Sequence, residues 1–206
     1  MSPRPADRTT RILFAVSGLA LFGYLALRPW AGGDTPAAWS SIMWPVSHLL
    51  AVTGFVAYAA LGARRAGRAG GILASVTVAL LLPYYGAEAY ALQVLGSLDP
   101  AQAQAVAQAF RYGPIPITMF GLGWVALGTL AVLTARTVRT PGLASRLALI
   151  VHTVAMVAWV PVFFLSPVGR IAHATVILIS AVVLATRGYA VPRPAAEPQL
   201  TVQPTR

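Results

Sequence analysis

The sequence predicts an all-α fold, a polytopic bundle of transmembrane helices. Hydrophobic residues make up 57% of the 206 residues, charged residues only 10%, and the mean hydropathy is +0.71. An ordinary soluble domain has about 25% charged residues, so this chain is far more apolar. At roughly 20 residues for each span, the chain accommodates about six spans with short loops. We therefore expect a multi-pass protein of the cell membrane.

Six apolar runs define the predicted spans. They cover residues 12–27, 40–61, 71–95, 115–134, 147–164 and 171–186. We predict a transmembrane domain over 12–186, a cytoplasmic segment over 1–11 and a disordered cytoplasmic tail over 187–206, which is rich in proline and polar residues. The first run lacks a convincing small-residue cleavage site at its far end, so we interpret it as a retained helix and not as a signal peptide.

The arginine residues predict the orientation of the bundle. If both termini are cytoplasmic, twelve arginines lie inside and three, Arg28, Arg111 and Arg170, lie outside, as the positive-inside rule favours. This alternation requires an even number of spans. Because the arginines are spread over helix ends, they form no basic groove for nucleic acid. The net charge of +10 therefore predicts topology, and we expect no nucleic-acid partner.

A short outer interfacial helix is predicted near residues 100–112, between the third and fourth spans. Asp99 can cap its first turn, and Pro100 suits the first helical position. This helix would place Arg111 at the outer surface of the bundle.

Several classes of chemistry are excluded by residues that the chain lacks. Cysteine is absent, which excludes disulfides, thiolate nucleophiles, zinc–thiolate sites and covalent c-type haem. The sequence also has no aspartate-rich magnesium cluster, paired histidine–glutamate zinc motif, serine elbow or Walker loop. We therefore expect no metal and no cofactor, and we disfavour soluble-substrate hydrolysis and phosphoryl transfer.

Glu88 is the residue that most strongly indicates a function, because it is an ionisable group inside the third predicted span. Counting 1.5 Å per residue places it in the outer half of the membrane, with His48 and His173 also towards the outer surface. A structural alternative is that Glu88 forms an ion pair with Arg111, Arg170 or His48, since charges in membranes commonly pair with one another.

Aromatic residues of four predicted spans are expected around Glu88. They are Tyr84, Tyr85, Trp44, Trp124 and Trp159. The two tyrosines precede Glu88 by four and three residues, so they share its helix face. Pro83 removes a backbone donor and predicts a kink beside Glu88. For the tryptophans, ordinary bundle packing is the alternative interpretation.

Other candidate residues have structural interpretations. Trp30, Trp39 and Tyr112 are predicted to lie in the interfacial aromatic belt. His152, on the inner part of the fifth span, is predicted to be a hydrogen-bonded contact between helices.

A carboxyl group in a dry, aromatic-lined cavity can retain a proton near neutral pH and protonate an alkene or an epoxide. Aromatic faces would then stabilise the carbocation, and exclusion of water would limit its premature quenching. In its size, its helix-only topology and its membrane glutamate within the run Leu81-Leu82-Pro83-Tyr84-Tyr85-Gly86-Ala87-Glu88-Ala89-Tyr90, the chain resembles the small integral-membrane terpene cyclases of meroterpenoid and indole-terpenoid pathways, including bacterial drimane-forming cyclases.

This resemblance implies a metal-independent cyclisation of a farnesyl-type chain carried by a lipophilic acceptor. It implies a catalytic group composed of Glu88, His48 and Tyr84, with Glu88 as the acid. Tyr85, Trp44, Trp124, Trp159 and Arg111 would bind the substrate. Fungal relatives of this type use two acidic residues, whereas the other outer acids here are Asp34, in a loop, and Asp99, in the predicted cap. We therefore expect His48 or Tyr84 to substitute for the second acid.

Two other classes of function remain open from the sequence. His48 and His173 could clamp a b-type haem from opposing helices, or help to hold a quinone. Alternatively, the chain is a small transporter in which Glu88 carries protons, or an accessory subunit that binds another membrane protein. A Soret band would indicate haem, and proton-coupled uptake would indicate transport.

Overall fold

The computed structural model describes residues 7–29, 34–140 and 142–187. Within these ranges it contains nine helices: α1 (Arg8–Leu27), α2 (Pro36–Trp39), α3 (Met43–Arg65), α4 (Gly67–Leu95), α5 (Pro100–Tyr112), α6 (Pro114–Thr137), α7 (Leu143–Val157), α8 (Trp159–Val162) and α9 (Pro167–Arg187). Five of the described helices, α1, α3, α4, α6 and α9, are long and apolar enough to cross a membrane. The all-α prediction is confirmed, and the apolar helices indicate a membrane protein. The predicted tail beyond Arg187 and the predicted belt residue Trp30 lie outside the described residues.

Two helices begin at aspartate caps. Asp7 accepts a hydrogen bond from the backbone N–H of Thr10 at 2.9 Å, so α1 begins four residues before the predicted span. Asp99 accepts from two backbone N–H groups of the first turn of α5, each at 3.1 Å, and α5 covers the short helix that the sequence predicts. Such caps satisfy N–H groups that have no partner within the helix.

A single glycine makes the turn between α3 and α4 tight. Only Ala66 separates the two helices, and Gly67 has a φ of +61°. This left-handed conformation is accessible to glycine without the steric cost that a Cβ atom brings. The turn therefore reverses the chain within about one residue.

The fifth predicted span is not one continuous helix. Residues 147–164 are divided between α7, which has 15 residues, and α8, which has four. Pro161 has no N–H for the carbonyl of Val157, which favours an interruption of the helix at this point. Similarly, the predicted second span begins at Met43 and not at Ser40, because α2 forms a separate turn before it.

Six of the described helices pack side by side as a closed ring, in the order α3, α1, α9, α7, α6, α4. Contact is least extensive between α6 and α7. At one end of the bundle, Arg11 donates to the carbonyls of Ala185 and Thr186, and Arg64 pairs with Asp7. At the other end lie α2 and α5. The ring therefore has two chemically distinct ends.

Small residues allow close approach between α1 and α9. A Cβ atom added to Gly18 would overlap the Cβ atom of Ala181 on α9, and both residues are buried. Helix pairs in membranes use small residues in this way, because packing contacts drive their association.

We predict that Gly18→Ala destabilises the protein by about 1–3 kcal/mol, because an extra methyl group in a packed interface forces the helices apart. Gly71→Ala is the matched control, since an added Cβ there meets no atom within 4 Å. Thermal unfolding of both variants in detergent, followed by tryptophan fluorescence, measures the difference. Equal unfolding temperatures would contradict the packing proposed for Gly18.

Candidate functional site

The guanidinium of Arg111 binds two carboxylates at the α2–α5 end of the bundle. Its Nε and Nη2 atoms donate to Oε1 and Oε2 of Glu88 at 2.6 and 2.7 Å, and its Nη1 donates to Oδ2 of Asp34 at 2.7 Å. Glu88 and Arg111 are each 3% exposed. Bidentate, charge-assisted hydrogen bonds of this kind stabilise the ionised form of a carboxylate. The sequence left open whether Glu88 forms an ion pair with Arg111, Arg170 or His48, and the structure contains the Glu88–Arg111 pair.

Asp34 has two further partners in this cluster. The indole N–H of Trp39 donates to its Oδ1 at 2.5 Å, and Nη2 of Arg28 lies 3.9 Å from its Oδ2. Burial raises the pKa of Asp34, but Arg111, the Trp39 indole and Arg28 more than offset burial and hold that pKa below its usual range. Burial also opposes the charge of Arg111, yet the two carboxylates raise the pKa of Arg111 above its usual value. Asp34 and Arg111 therefore remain charged near neutral pH.

The prediction of Trp39 as an interfacial belt residue is wrong. Its side chain is 0% exposed, because α2 folds over the cluster and directs the indole to Asp34. Tyr112, predicted for the same belt, is 59% exposed.

The packing of α5 determines the position of Arg111. Ala103 and Ala107 precede Arg111 by eight and four residues, so the three share one helix face. Both alanines are fully buried and pack in a cluster with Trp39 and Trp44. Their small size brings α5 close to the bundle, and Arg111 in the last turn is also favoured by the helix dipole.

His48 also lies beside Glu88, and it approaches an oxygen that Arg111 binds too. Its Nδ1 is 2.7 Å from the carbonyl oxygen of Trp44, which can only accept, so Nδ1 carries a proton. Its Nε2 lies 3.5 Å from Oε2 of Glu88. In a neutral imidazole this Nε2 lone pair would face a carboxylate oxygen.

A cavity of about 1200 Å³ lies next to this cluster. Its polar end includes Arg28, Asp34, His48, Glu88 and Arg111. Its aromatic lining consists of Tyr24, Trp44, Tyr84, Tyr85, Tyr112, Phe120, Trp124, Phe163 and Phe164. Apart from Trp159, each predicted catalytic or substrate-binding residue lines this cavity.

Trp159 does not line the cavity, contrary to the prediction. It is 0% exposed and lies in the layer behind, where its ring stacks on Trp124 at 5.9 Å and on Tyr24 at 6.3 Å between centroids. The depth of Trp159 along the bundle was predictable, but the direction of its side chain depends on the break between α7 and α8. Trp159 therefore supports the wall and does not form it.

The predicted haem clamp does not fit this geometry. His173 packs edge-on against Trp159 at 5.8 Å, Trp159 stacks on Tyr24, and Tyr24 contacts His48. His173 is not among the residues that line the cavity. The two imidazoles therefore do not face one another across a common space in which a porphyrin could lie.

Residues that the sequence analysis missed complete the polar end. Tyr24 and Arg28 are one turn apart, and Nη1 of Arg28 donates to the Tyr24 hydroxyl at 2.8 Å. This i, i+4 spacing of a tyrosine and an arginine at the end of α1 was the available signal. Asp34 offered no comparable signal, because its position depends on a loop.

His152 has the structural role that the sequence predicts for it. Its Nδ1 lies 3.0 Å from the hydroxyl of Ser180 on α9, so it joins α7 to α9 at a distance from the cavity. Among the described residues, no group of three or more histidine, aspartate or glutamate side chains could hold a metal ion.

No protein-family model matches the chain, and no curated protein or solved structure shows significant similarity to it. The charged cluster and the cavity are therefore the basis for a functional proposal.

We predict that Arg111→Gln destabilises the protein by about 3–5 kcal/mol, because it leaves the buried carboxylate of Glu88 without its main partner and also removes the contact with Asp34, whose side chain is 43% exposed. Glu88→Gln should cost less, because Arg111 retains Asp34. The double variant should cost less than the sum of the two single variants, since each removes the same ion pair. Denaturant unfolding in detergent, followed by tryptophan fluorescence, measures all three.

Asp99→Asn is the matched control at the same end of the bundle, because asparagine also caps helices well. It should leave stability nearly unchanged. A larger effect from Glu88→Gln than from Arg111→Gln would contradict the central position of Arg111.

Proposed function

We propose that this chain is an integral-membrane enzyme of the terpene-cyclase class, which cyclises a farnesyl-type chain on a lipophilic acceptor by proton transfer. The observation that carries the proposal is the 1200 Å³ cavity, whose aromatic walls end at the His48–Glu88 pair. A proton donor and acceptor at one end of a large apolar space suit a reaction that begins and ends with proton transfer to a hydrocarbon substrate.

Access from the bilayer agrees with a lipophilic substrate. The cavity lining includes Gly121, Val125 and Thr129, which lie on one face of α6 and are exposed on the outside of the bundle, and also Val157 of α7. This is the α6–α7 boundary, where contact between neighbouring helices is least extensive. A membrane-dissolved substrate would enter here without passing through water.

The acid in this proposal is the His48–Glu88 pair, with one proton between the two side chains. Glu88 accepts two hydrogen bonds from Arg111, so in this proposal Glu88 is the base of the pair. An imidazolium is a weak acid for an unactivated alkene but sufficient for a strained epoxide. We therefore favour a terminal prenyl epoxide over the terminal alkene as the reactive group.

The reaction is then an isomerisation that needs no co-reactant. The proton on Nε2 of His48 moves to the epoxide oxygen, the C–O bond breaks, and the neighbouring alkene attacks the developing cation to form a C–C bond. After further ring closure, a proton leaves carbon for the His48–Glu88 pair, which returns to its starting state. The product is a cyclised alcohol with the composition of the substrate.

The aromatic wall next to the pair would stabilise the intermediate cations. Tyr84 and Phe120 have ring centroids 4.3 Å apart, and Phe120 and Trp124 are 5.5 Å apart, so the three form a continuous surface. Each cation–π contact with such a ring in a dry site is worth about 2 kcal/mol. Phe120 thereby joins the residues that the sequence predicts for substrate binding.

We predict that membranes containing the protein convert a farnesylated aromatic acceptor bearing a terminal epoxide into a cyclised isomer, measured by mass-matched chromatography. His48→Gln and Glu88→Gln should each reduce this activity about 10²–10⁴-fold, the usual contribution of general acid–base catalysis. The corresponding alkene should react more slowly than the epoxide.

His152→Gln is the matched control, since it removes a buried imidazole remote from the cavity. The unfolding temperature and the amount of each variant in the membrane are measured as well, so that a loss of catalytic activity can be distinguished from a loss of folded protein. Absence of cyclised product from both substrates with the folded wild-type protein would reject the cyclase, and saturable binding of a quinone in that case would favour the binding alternative. Wild-type activity in both His48→Gln and Glu88→Gln would also reject the cyclase proposal.

We further propose six membrane crossings with both termini in the cytoplasm, with α7 and α8 together forming the fifth crossing. The chain lacks cysteine, so single cysteines report topology without background. In intact cells, a membrane-impermeant maleimide should label Gln102→Cys and Ser166→Cys, whereas Arg68→Cys should react only after permeabilisation. Labelling of Arg68→Cys in intact cells would reverse the orientation, and protection of Ser166→Cys would exclude the crossing by α7 and α8.

A further inference from the structure

The cavity continues beyond its aromatic walls as an apolar groove. Among the described lining residues, Trp124 is the last aromatic residue of α6. Further along the bundle, the lining continues with Gly128, Thr129 and Val132 of α6 and Val157 of α7, which together we call the α6–α7 groove. At 1.5 Å per residue, Val132 lies about 12 Å further along α6 than Trp124. The groove therefore adds length to the cavity on the side away from its polar end.

Gly128 keeps the α6–α7 groove open. The nearest neighbour of a Cβ atom added there would be Cγ2 of Val157 at 3.8 Å, an ordinary van der Waals distance. On either side, Val132 and Val157 are 37% and 51% exposed, and α6 and α7 have the least extensive contact in the ring. A larger side chain at position 128 can therefore be accommodated by the fold, but it would fill the groove.

The groove suits a hydrocarbon portion of a ligand. Of the side chains that line it in the described part of the chain, only that of Thr129 has a polar atom, and its hydroxyl donates to the carbonyl of Val125 at 2.8 Å. The hydroxyl proton is thus used within α6, a common arrangement for threonine in a helix. Because the charged lining residues lie at the other end of the cavity, a polar group in the groove would have no donor to bind.

We infer that the non-reacting end of the substrate is an aliphatic tail that lies in the α6–α7 groove, and that Gly128 is the residue that determines specificity for this tail. The inference rests on the proposed function and deepens it. With the epoxide at His48–Glu88 and the prenyl chain folded against the aromatic wall, the acceptor is directed into the groove, because the two compartments are parts of one cavity.

The selection in the groove is steric. Lipid is as apolar as the valines of the groove, so a tail gains no hydrophobic free energy by leaving the bilayer. The groove instead provides room that a long substrate needs and a short one does not. The volume of about 1200 Å³ agrees with a long ligand, since pockets for drug-sized molecules have about 300–1,000 Å³.

Two farnesyl phenyl ethers test this inference, one with a methyl group and one with a decyl chain on the ring opposite the ether oxygen. Binding to the purified protein in a non-ionic detergent is followed by tryptophan fluorescence. Gly128→Leu should weaken binding of the decyl compound about tenfold, because the added side chain overpacks an occupied groove, and leave binding of the methyl compound unchanged. Each compound is compared between proteins, so its partition into detergent cancels.

Gly71→Leu is the matched control for this substitution. An added Cβ at Gly71 meets no atom within 4 Å, and Gly71 does not line the cavity. Binding of both compounds should be the same as in the wild-type protein. Gly128→Ala, with a smaller side chain, should weaken binding of the decyl compound less than Gly128→Leu does.

A single cysteine locates the tail even if Gly128→Leu fails to fold. The chain lacks cysteine, so Gly128→Cys has one thiol, which lies in the groove. The decyl compound should slow its modification by N-ethylmaleimide, whereas the methyl compound should not. Val176→Cys is the matched control, because Val176 is 41% exposed on α9 and does not line the cavity. Neither compound should change its rate of modification.

The possible failures are distinguishable. An equal effect of Gly128→Leu on both compounds, or no effect on either, would overturn the inference and leave the cyclase proposal in place. Protection of Gly128→Cys by an equal concentration of phosphatidylcholine would show that ordinary lipid occupies the groove, and a disulfide between two copies of Gly128→Cys in membranes would show that a second copy does; either result would also overturn it. Tail-dependent binding without any cyclised product would retain the tail and reject the cyclase.

Discussion

The contact of Arg111 with two carboxylates is the constraint on which the rest of the site depends. It joins the loop before α2, the last third of α4 and the end of α5 through one guanidinium. The carboxylates of Glu88 and Asp34 would otherwise repel each other, and removing the buried Glu88 from water costs several kcal/mol. Arg111 offsets both costs, so α2 and α5 are held over the bundle by electrostatics as well as by packing.

This contact also determines which chemistry the site can support. Burial in an apolar cavity disfavours the ionised form of a solitary carboxyl group, whereas Glu88 accepts two hydrogen bonds from the guanidinium of Arg111. In the proposed cyclase, the proton donor is therefore the contact between Glu88 and His48, and the carbonyl of Trp44 fixes the tautomer of that imidazole. Trp44 stabilises both partners, because its indole N–H donates to the backbone carbonyl of Glu88 at 2.8 Å. The geometry of the pair is thus set by backbone atoms of two helices.

Much of this site follows from the sequence because depth in a helical bundle is a linear function of residue number. Counting along the spans was sufficient to bring His48, Glu88 and Arg111 into one layer. The direction of a side chain around its helix is harder to predict, as Trp159 demonstrates, because the turn at Pro161 changes it. Asp34 was least predictable of all: its contribution depends on a short helix folding back over the cluster, and no periodic pattern encodes that contact.

The same ring of helices accounts for both rigidity and access. On the α1–α9 and α1–α3 sides, glycines bring the helices so close that an added Cβ at Gly18 or Gly54 would overlap a neighbouring side chain. On the α6–α7 side, Gly121 has no atom near an added Cβ, and at Gly128 the nearest is Cγ2 of Val157 at 3.8 Å. Tight contacts elsewhere close the ring, so the looser α6–α7 boundary can remain without loss of the fold. The cavity therefore opens where packing between neighbouring helices is least extensive.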